Sequence, residues 1–146
     1  MSPQRAESIV RTTMWVLAAT FAVVGILFIA TPAGVVGRVD DVGDWLGGFS
    51  PAPGTGVRLW LALGFAYMTV ITGIALLVAS DVARYRHVLL ALAAGKAASS
   101  LAAGFYFAFD HHVFIYLVNF VVDGTLVAIV LWCWSLAGRV EPRTPG

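Results

Sequence analysis

The sequence predicts an all-α integral membrane protein, a four-helix transmembrane bundle with its N- and C-termini on the cytoplasmic side. Three observations lead there. The chain is 60% hydrophobic and only 12% charged, whereas soluble domains carry about a quarter charged residues. A chain of 146 residues cannot hide that much apolar surface in its own core, so lipid must cover the remainder. Finally, the apolar residues fall into four runs, each close to the roughly 20 residues that a helix needs to cross about 30 Å of hydrocarbon. None shows the strict alternation of a barrel strand, and backbone groups in lipid must bond internally, which helices achieve within one segment.

The first run covers about 12–30 (TTMWVLAATFAVVGILFIA). Arg5 and Arg11 precede it, as in a secretory signal, but no A-x-A cleavage site follows, so it reads as an uncleaved first transmembrane helix. The connection at 31–56 is the longest in the chain. Its centre, VVGRVDDVGDWLGGF, places Val36, Val39, Val42 or Trp45, and Leu46 near one side of a short helix, with Asp40, Asp41 and Asp44 opposite. It reads as an amphipathic segment on the outer membrane surface or as a lid on the bundle. Pro51-Ala52-Pro53-Gly54 marks a loop before the second run, about 57–79. A short inner loop at 80–86 leads to the third run, about 87–109, and a tight turn leads to the fourth, about 113–136, before a tail at 137–146. The whole is one transmembrane domain, with no internal repeat visible in the sequence.

Orientation follows from the basic flanks. Arg5 and Arg11, Arg84 and Arg86, and Arg139 and Arg143 fall on one side; Arg38 and Arg58 fall on the other. The positive-inside rule then places both termini in the cytoplasm of a multi-pass cell-membrane protein. Trp15, Trp132, Trp134 and Tyr85 would mark the inner interface, and Trp45, Trp60 and Phe109 the outer one.

One lysine interrupts the third run, in ALAAGKAASSLAAG. Because the third and fourth helices are joined by about four residues, they form an antiparallel hairpin in which residues equally far from the turn lie at equal depth. Lys96 lies 14 residues before Asp110 and Asp123 lies 13 after it. Both are therefore roughly 20 Å from the turn, somewhat past mid-membrane. They are the ionisable residues deep in the helices, and their signs are opposite. An isolated Lys or Asp at that depth costs roughly 2.5–3.5 kcal/mol on insertion scales, so pairing is favoured. A second rung, Ser99 and Ser100 with Asn119, lies one turn nearer the hairpin, and Tyr116 is expected to pack against Gly104 beyond it. Gly95, Ser99 and Ala103 form a stripe of small residues that admits a neighbouring backbone. In the second helix, Thr69 falls at the Lys96 level, although such threonines commonly bond their own helix backbone.

Other candidates form an outer set that could meet a lipid or a lipophilic cofactor: Arg58, His111, His112, Phe105, Tyr106 and Phe109. An interface belt accounts for the aromatics, solvation for the adjacent histidines, and helix capping for Asp110. Cys133 is the one cysteine, which excludes an intrachain disulfide, a CxxC redox pair or a Cys-rich zinc site. A net charge of +1 gives no electrostatic case for nucleic acid. No nucleophile–base set, nucleotide loop or metal cluster is written in the sequence, and neither a metal nor a cofactor is expected.

Three readings follow. The leading one is a non-catalytic protein, a homo-oligomer or an accessory or assembly subunit of a larger membrane complex, whose partners are the bilayer and other membrane subunits. The next is a small proton- or ion-coupled transporter or channel lined by Lys96, Asp123 and Asn119. The last is a binder of a quinone, lipid or pigment at the outer aromatic cluster.

Overall fold

A computed structural model describes residues 1–52 and 58–140, without the side chains of Pro32, Arg58, Leu59 and Trp60. The Pro53-Gly54 half of the expected loop signal and the flanking Arg143 lie outside the described residues. So do the side chains of Arg58 and Trp60. The described chain forms α1 (Pro3–Ala30), α2 (Pro32–Leu46), α3 (Arg58–Ser80), α4 (Val88–Phe109) and α5 (Phe114–Ala137). Among the described residues, four of these helices, α1, α3, α4 and α5, are long and apolar enough to cross a membrane.

α1 starts at Pro3, well before the apolar run begins. The Ser2 hydroxyl accepts a hydrogen bond from the Arg5 amide at 3.4 Å, and proline suits the first turn because its missing N–H needs no partner there. Glu7 and Arg11 then pair one turn apart along the helix. Ala6 and Val10 are fully buried, so this polar extension is held by packing as well as by its cap.

The bundle is built from two antiparallel pairs, α1 with α3 and α4 with α5, joined through α1–α5 and α3–α4 contacts. Each pair uses the same fastening at the end near the termini. Arg11 Nε of α1 donates to the Ala79 carbonyl at the end of α3, at 3.1 Å. Arg86 Nε, just before α4, donates to the Trp134 carbonyl near the end of α5, at 3.2 Å. Carbonyls in a last helical turn carry partial negative charge and have acceptor capacity to spare, so a guanidinium is well matched to them; that of Trp134 also accepts from the Gly138 amide at 3.3 Å. The continuous apolar core occupies this half of the bundle. It runs from Ala6, Val10, Val82 and Leu136 up to Phe21, Ile71 and Ala93.

At the other end, 35–49 is largely helical, and it forms a lid. α2 contacts α5 and α1. It stops at Gly47 and Gly48, with φ of 75° and 82°, values that favour glycine. The chain then turns over the α4–α5 connection: the Ser50 amide donates to the His112 carbonyl at 3.0 Å, and Phe49 packs edge-on against Phe114 at 4.9 Å. The Asp40 carboxylate accepts from the Ala52 amide at 3.0 and 3.2 Å. The packed side of α2 differs from the expected apolar stripe. Gly43 is buried against Phe114, whereas Val42, Leu46 and Trp45, the last 83% exposed, point away. Glycine prevails over the larger apolar residues because only a residue without a side chain lets the two backbones come this close.

A candidate functional site at the Lys96–Asp123 pair

The α4–α5 hairpin brings Lys96 and Asp123 together: Nζ lies 2.9 Å from Oδ1. Lys96 is 2% exposed and Asp123 4%. The pair stands at the upper limit of the apolar core, where all four long helices converge. From α1, the Phe21 ring centroid lies 5.0 Å from the ammonium. From α3, that of Tyr67 lies 5.3 Å away. The electron-rich faces of two rings and one carboxylate thus surround the cation, each stabilising it where water is excluded.

One turn nearer the α4–α5 connection, Asn119 Nδ2 donates to Ser99 Oγ at 3.2 Å. Ser100 does not meet Asn119. Its hydroxyl donates to the Phe120 carbonyl at 2.8 Å, because adjacent residues on a helix point about 100° apart and only one serine can face the amide. Ser100 Oγ also sits 3.3 Å from the place a Cβ would take at Gly124, so the missing side chain there gives the hydroxyl its room.

Tyr116 does not fill the space at Gly104. Phe120 does: a Cβ at residue 104 would lie 2.8 Å from its ring. Tyr116 turns instead to Tyr106, at a ring separation of 5.8 Å. In the small-residue stripe, Gly95 makes room for the ring of Tyr67, whose hydroxyl oxygen would lie 3.2 Å from a Cβ at that position. Thr69 is on the wrong side of α3 to join the seam. It is exposed and donates to the Phe65 carbonyl of its own helix at 2.9 Å, and Tyr67 two residues earlier takes the position beside Lys96.

Of the outer candidates, Phe105, Tyr106 and Phe109 lie exposed on α4 and pack on one another, with Phe105 5.0 Å from Phe109 and 6.0 Å from Tyr106. His111 is exposed, with Nε2 3.5 Å from Asp110 Oδ1. His112 sets its ring against Phe107 at 5.2 Å. They point to different neighbours and do not converge on a common ligand position. Asp110 ends α4 and does not cap α5, whose cap is Val113 without a side-chain bond. Among the described residues, no group of three or more His, Cys, Asp or Glu side chains is placed to hold a metal ion.

Phe21, Tyr67 and Phe120 are the site residues that the sequence expectations leave out, Tyr67 standing where Thr69 is expected. Phe21 lies in an uninterrupted apolar run, where nothing distinguishes it from its neighbours. Phe120 had a usable signal, since Asn119 and Phe120 together set which residue meets Gly104.

An apolar cleft of about 210 Å³ lies between α1 and α3, lined by Gly25, Ile26, Met68 and Thr72 among others. It reaches one face of Phe21, but neither Lys96 nor Asp123 lines it. The Tyr67 hydroxyl is buried and has no hydrogen-bond partner among the described residues. No protein-family model, curated protein or solved structure matches this chain.

Proposed function

We propose that this is an integral membrane protein of the cell membrane, with both termini cytoplasmic, acting in a non-catalytic role. It works as a homo-oligomer or as an accessory or assembly subunit of a larger membrane complex. In this reading the Lys96–Asp123 pair is a register lock that allows α4 and α5 one alignment. The observation that carries it is the closure of the polar seam. Lys96 and Asp123 bond each other, Ser99 bonds Asn119, and Ser100 bonds a backbone carbonyl. Polar groups consumed in this way fix helix pairing. Beyond the pair, Leu101, Phe105, Val121 and Val122 remain exposed, an apolar surface suited to lipid or a partner helix.

The test is replacement of both charges. The Lys96→Leu/Asp123→Leu double variant should accumulate in membranes and keep the wild-type oligomeric mass and co-purifying subunits. Either single change should lower abundance, because it strands a buried charge. A double variant that is abundant but has lost its assembly would sink this reading.

One observation favours a second reading, a small proton- or ion-coupled transporter. The unpartnered Tyr67 hydroxyl is a spare proton donor and acceptor beside the pair. Proteoliposome flux through Lys96, Asp123 and Asn119 would be abolished by Asp123→Asn; flux that survives the change excludes that path.

A further inference from the structure

The two ends of the bundle carry opposite charge. Among the described residues, the end near the termini holds Arg5, Arg11, Arg84, Arg86 and Arg139 against Glu7 and Asp81. The lid end holds Asp40, Asp41, Asp44 and Asp110 against Arg38 and Arg58. The five arginines are not equivalent. Arg11 and Arg86 are spent inside the fold on the carbonyls of Ala79 and Trp134. Arg5, Arg84 and Arg139 are exposed. Among the described residues, none of the three guanidinium groups has a hydrogen bond or ion pair; that of Arg84 lies 5.3 Å from the Tyr85 ring.

These three are brought to one end by the packing. The first turns of α1 and Val140 line a common groove, which brings the segment carrying Arg5 beside the tail carrying Arg139. Gly138 lies against the Arg86 guanidinium, which ties the same tail to the α3–α4 turn carrying Arg84. On the flanks of the bundle, nearer its middle, Trp15 and Trp132 are 58% and 53% exposed. Tryptophan rings gather where hydrocarbon meets headgroups. Arg5 lies ten residues beyond Trp15, about 15 Å further along the helix, on the water side of that boundary.

We propose that this end is a binding surface for anionic phospholipid headgroups, with Arg5, Arg84 and Arg139 as the phosphate-binding side chains. The inference rests on the membrane reading above. Guanidinium groups match phosphate oxygens in a planar, two-pronged geometry, and their long stems let them reach outward from an apolar flank. The aspartates at the lid end disfavour the same lipids there, so selection by headgroup acts on one leaflet.

The test uses the purified full-length chain in nanodiscs of equal phosphatidylcholine and phosphatidylglycerol, with retained lipids counted by native mass spectrometry. The wild type should retain phosphatidylglycerol in preference by on the order of tenfold or more, since an arginine at an anionic surface is worth about a fivefold factor. The Arg5→Gln/Arg84→Gln/Arg139→Gln variant should lose most of that preference, and Arg38→Gln at the other end should keep it. If the triple variant does not fold, each single change should reduce the preference. Equal retention of the two lipids by the wild type overturns the proposal, as does a preference that survives the substitutions. A chain that enters bilayers without headgroup preference removes this inference and leaves the membrane reading intact. A chain that does not enter bilayers removes both.

Discussion

Tyr67 lays its ring 5.3 Å from the Lys96 ammonium while its own hydroxyl has no hydrogen-bond partner among the described residues. The two halves of this side chain therefore act oppositely. The ring stabilises a buried cation, and the hydroxyl gives up water for nothing. Tyr67→Phe should leave unfolding stability in detergent unchanged or raise it by up to about 1 kcal/mol. Tyr67→Ala should cost about 2 kcal/mol or more, through lost packing and loss of the ring beside the charge. A Tyr67→Phe variant destabilised by more than about 1 kcal/mol would mean that the hydroxyl is engaged, and would remove the spare donor and acceptor on which the proton-path reading rests.

The polar contacts of the α4–α5 seam should rank steeply. Removing Lys96 or Asp123 alone leaves a buried charge and should cost about 3–5 kcal/mol. The Asn119–Ser99 contact, 3.2 Å and only partly buried, should be worth about 0.6 kcal/mol, the average for hydrogen bonds between membrane helices. Ser100→Ala should cost no more, because the Phe120 carbonyl also has a helical donor within α5. Unfolding titrations of the four single variants check the order. Equal costs for Asn119→Leu and Lys96→Leu would show that the pair is not the principal lock.

Depth along the hairpin was legible in the sequence and rotation was not. Counting outward from a four-residue turn aligns Lys96 with Asp123 because helical rise is constant, and the pair forms as aligned. A like count from Ala83, in the loop between α3 and α4, sets Thr69 level with Lys96, but α3 is turned so that Thr69 faces outward and Tyr67 faces in. Facing is decided by which ring fits over Gly95 and which over Gly104, a matter of shape among similar apolar side chains. The lid shows the same limit. Its helix was readable from the spacing of valines and aspartates, yet the face it packs is chosen by Gly43, whose contribution is the absence of a side chain.

That absence can be tested. A Cβ at residue 43 would lie 2.8 Å from Phe114 Cβ, and neither atom can swing aside without moving a helix. Gly43→Ala should therefore cost about 1–3 kcal/mol, as overpacking does, despite the better helix propensity of alanine. The change should act locally. Faster amide hydrogen exchange at Ser50, whose N–H reaches the His112 carbonyl, would report a lifted lid. Gly37→Ala, where nothing lies within 4 Å of the new Cβ, serves as the control and should stabilise α2 slightly. Equal behaviour of the two variants would refute a close approach at Gly43.

Arg86 offers the last prediction, at the fastening between α4 and α5. Its guanidinium carbon sits 4.6 Å from the Trp134 ring centroid, and its Nε bonds the carbonyl of the same tryptophan. One side chain therefore neutralises the negative end of α5 and covers an aromatic face. Arg86→Ala should cost about 1–2 kcal/mol from those two contributions. Arg86→Lys retains the charge but cannot hold the carbonyl and the ring together with a planar group, so it should recover only part of that loss. Trp134 emission, read in a background where the other four tryptophans are phenylalanine, should shift in both variants. Arg11→Lys should behave differently, because Arg11 bonds the Ala79 carbonyl, which brings no aromatic face. There the ammonium needs to satisfy only the carbonyl and Glu7, and most of the stability should return. If lysine restores both sites equally, the ring contact at Arg86 contributes nothing and the fastening is purely electrostatic.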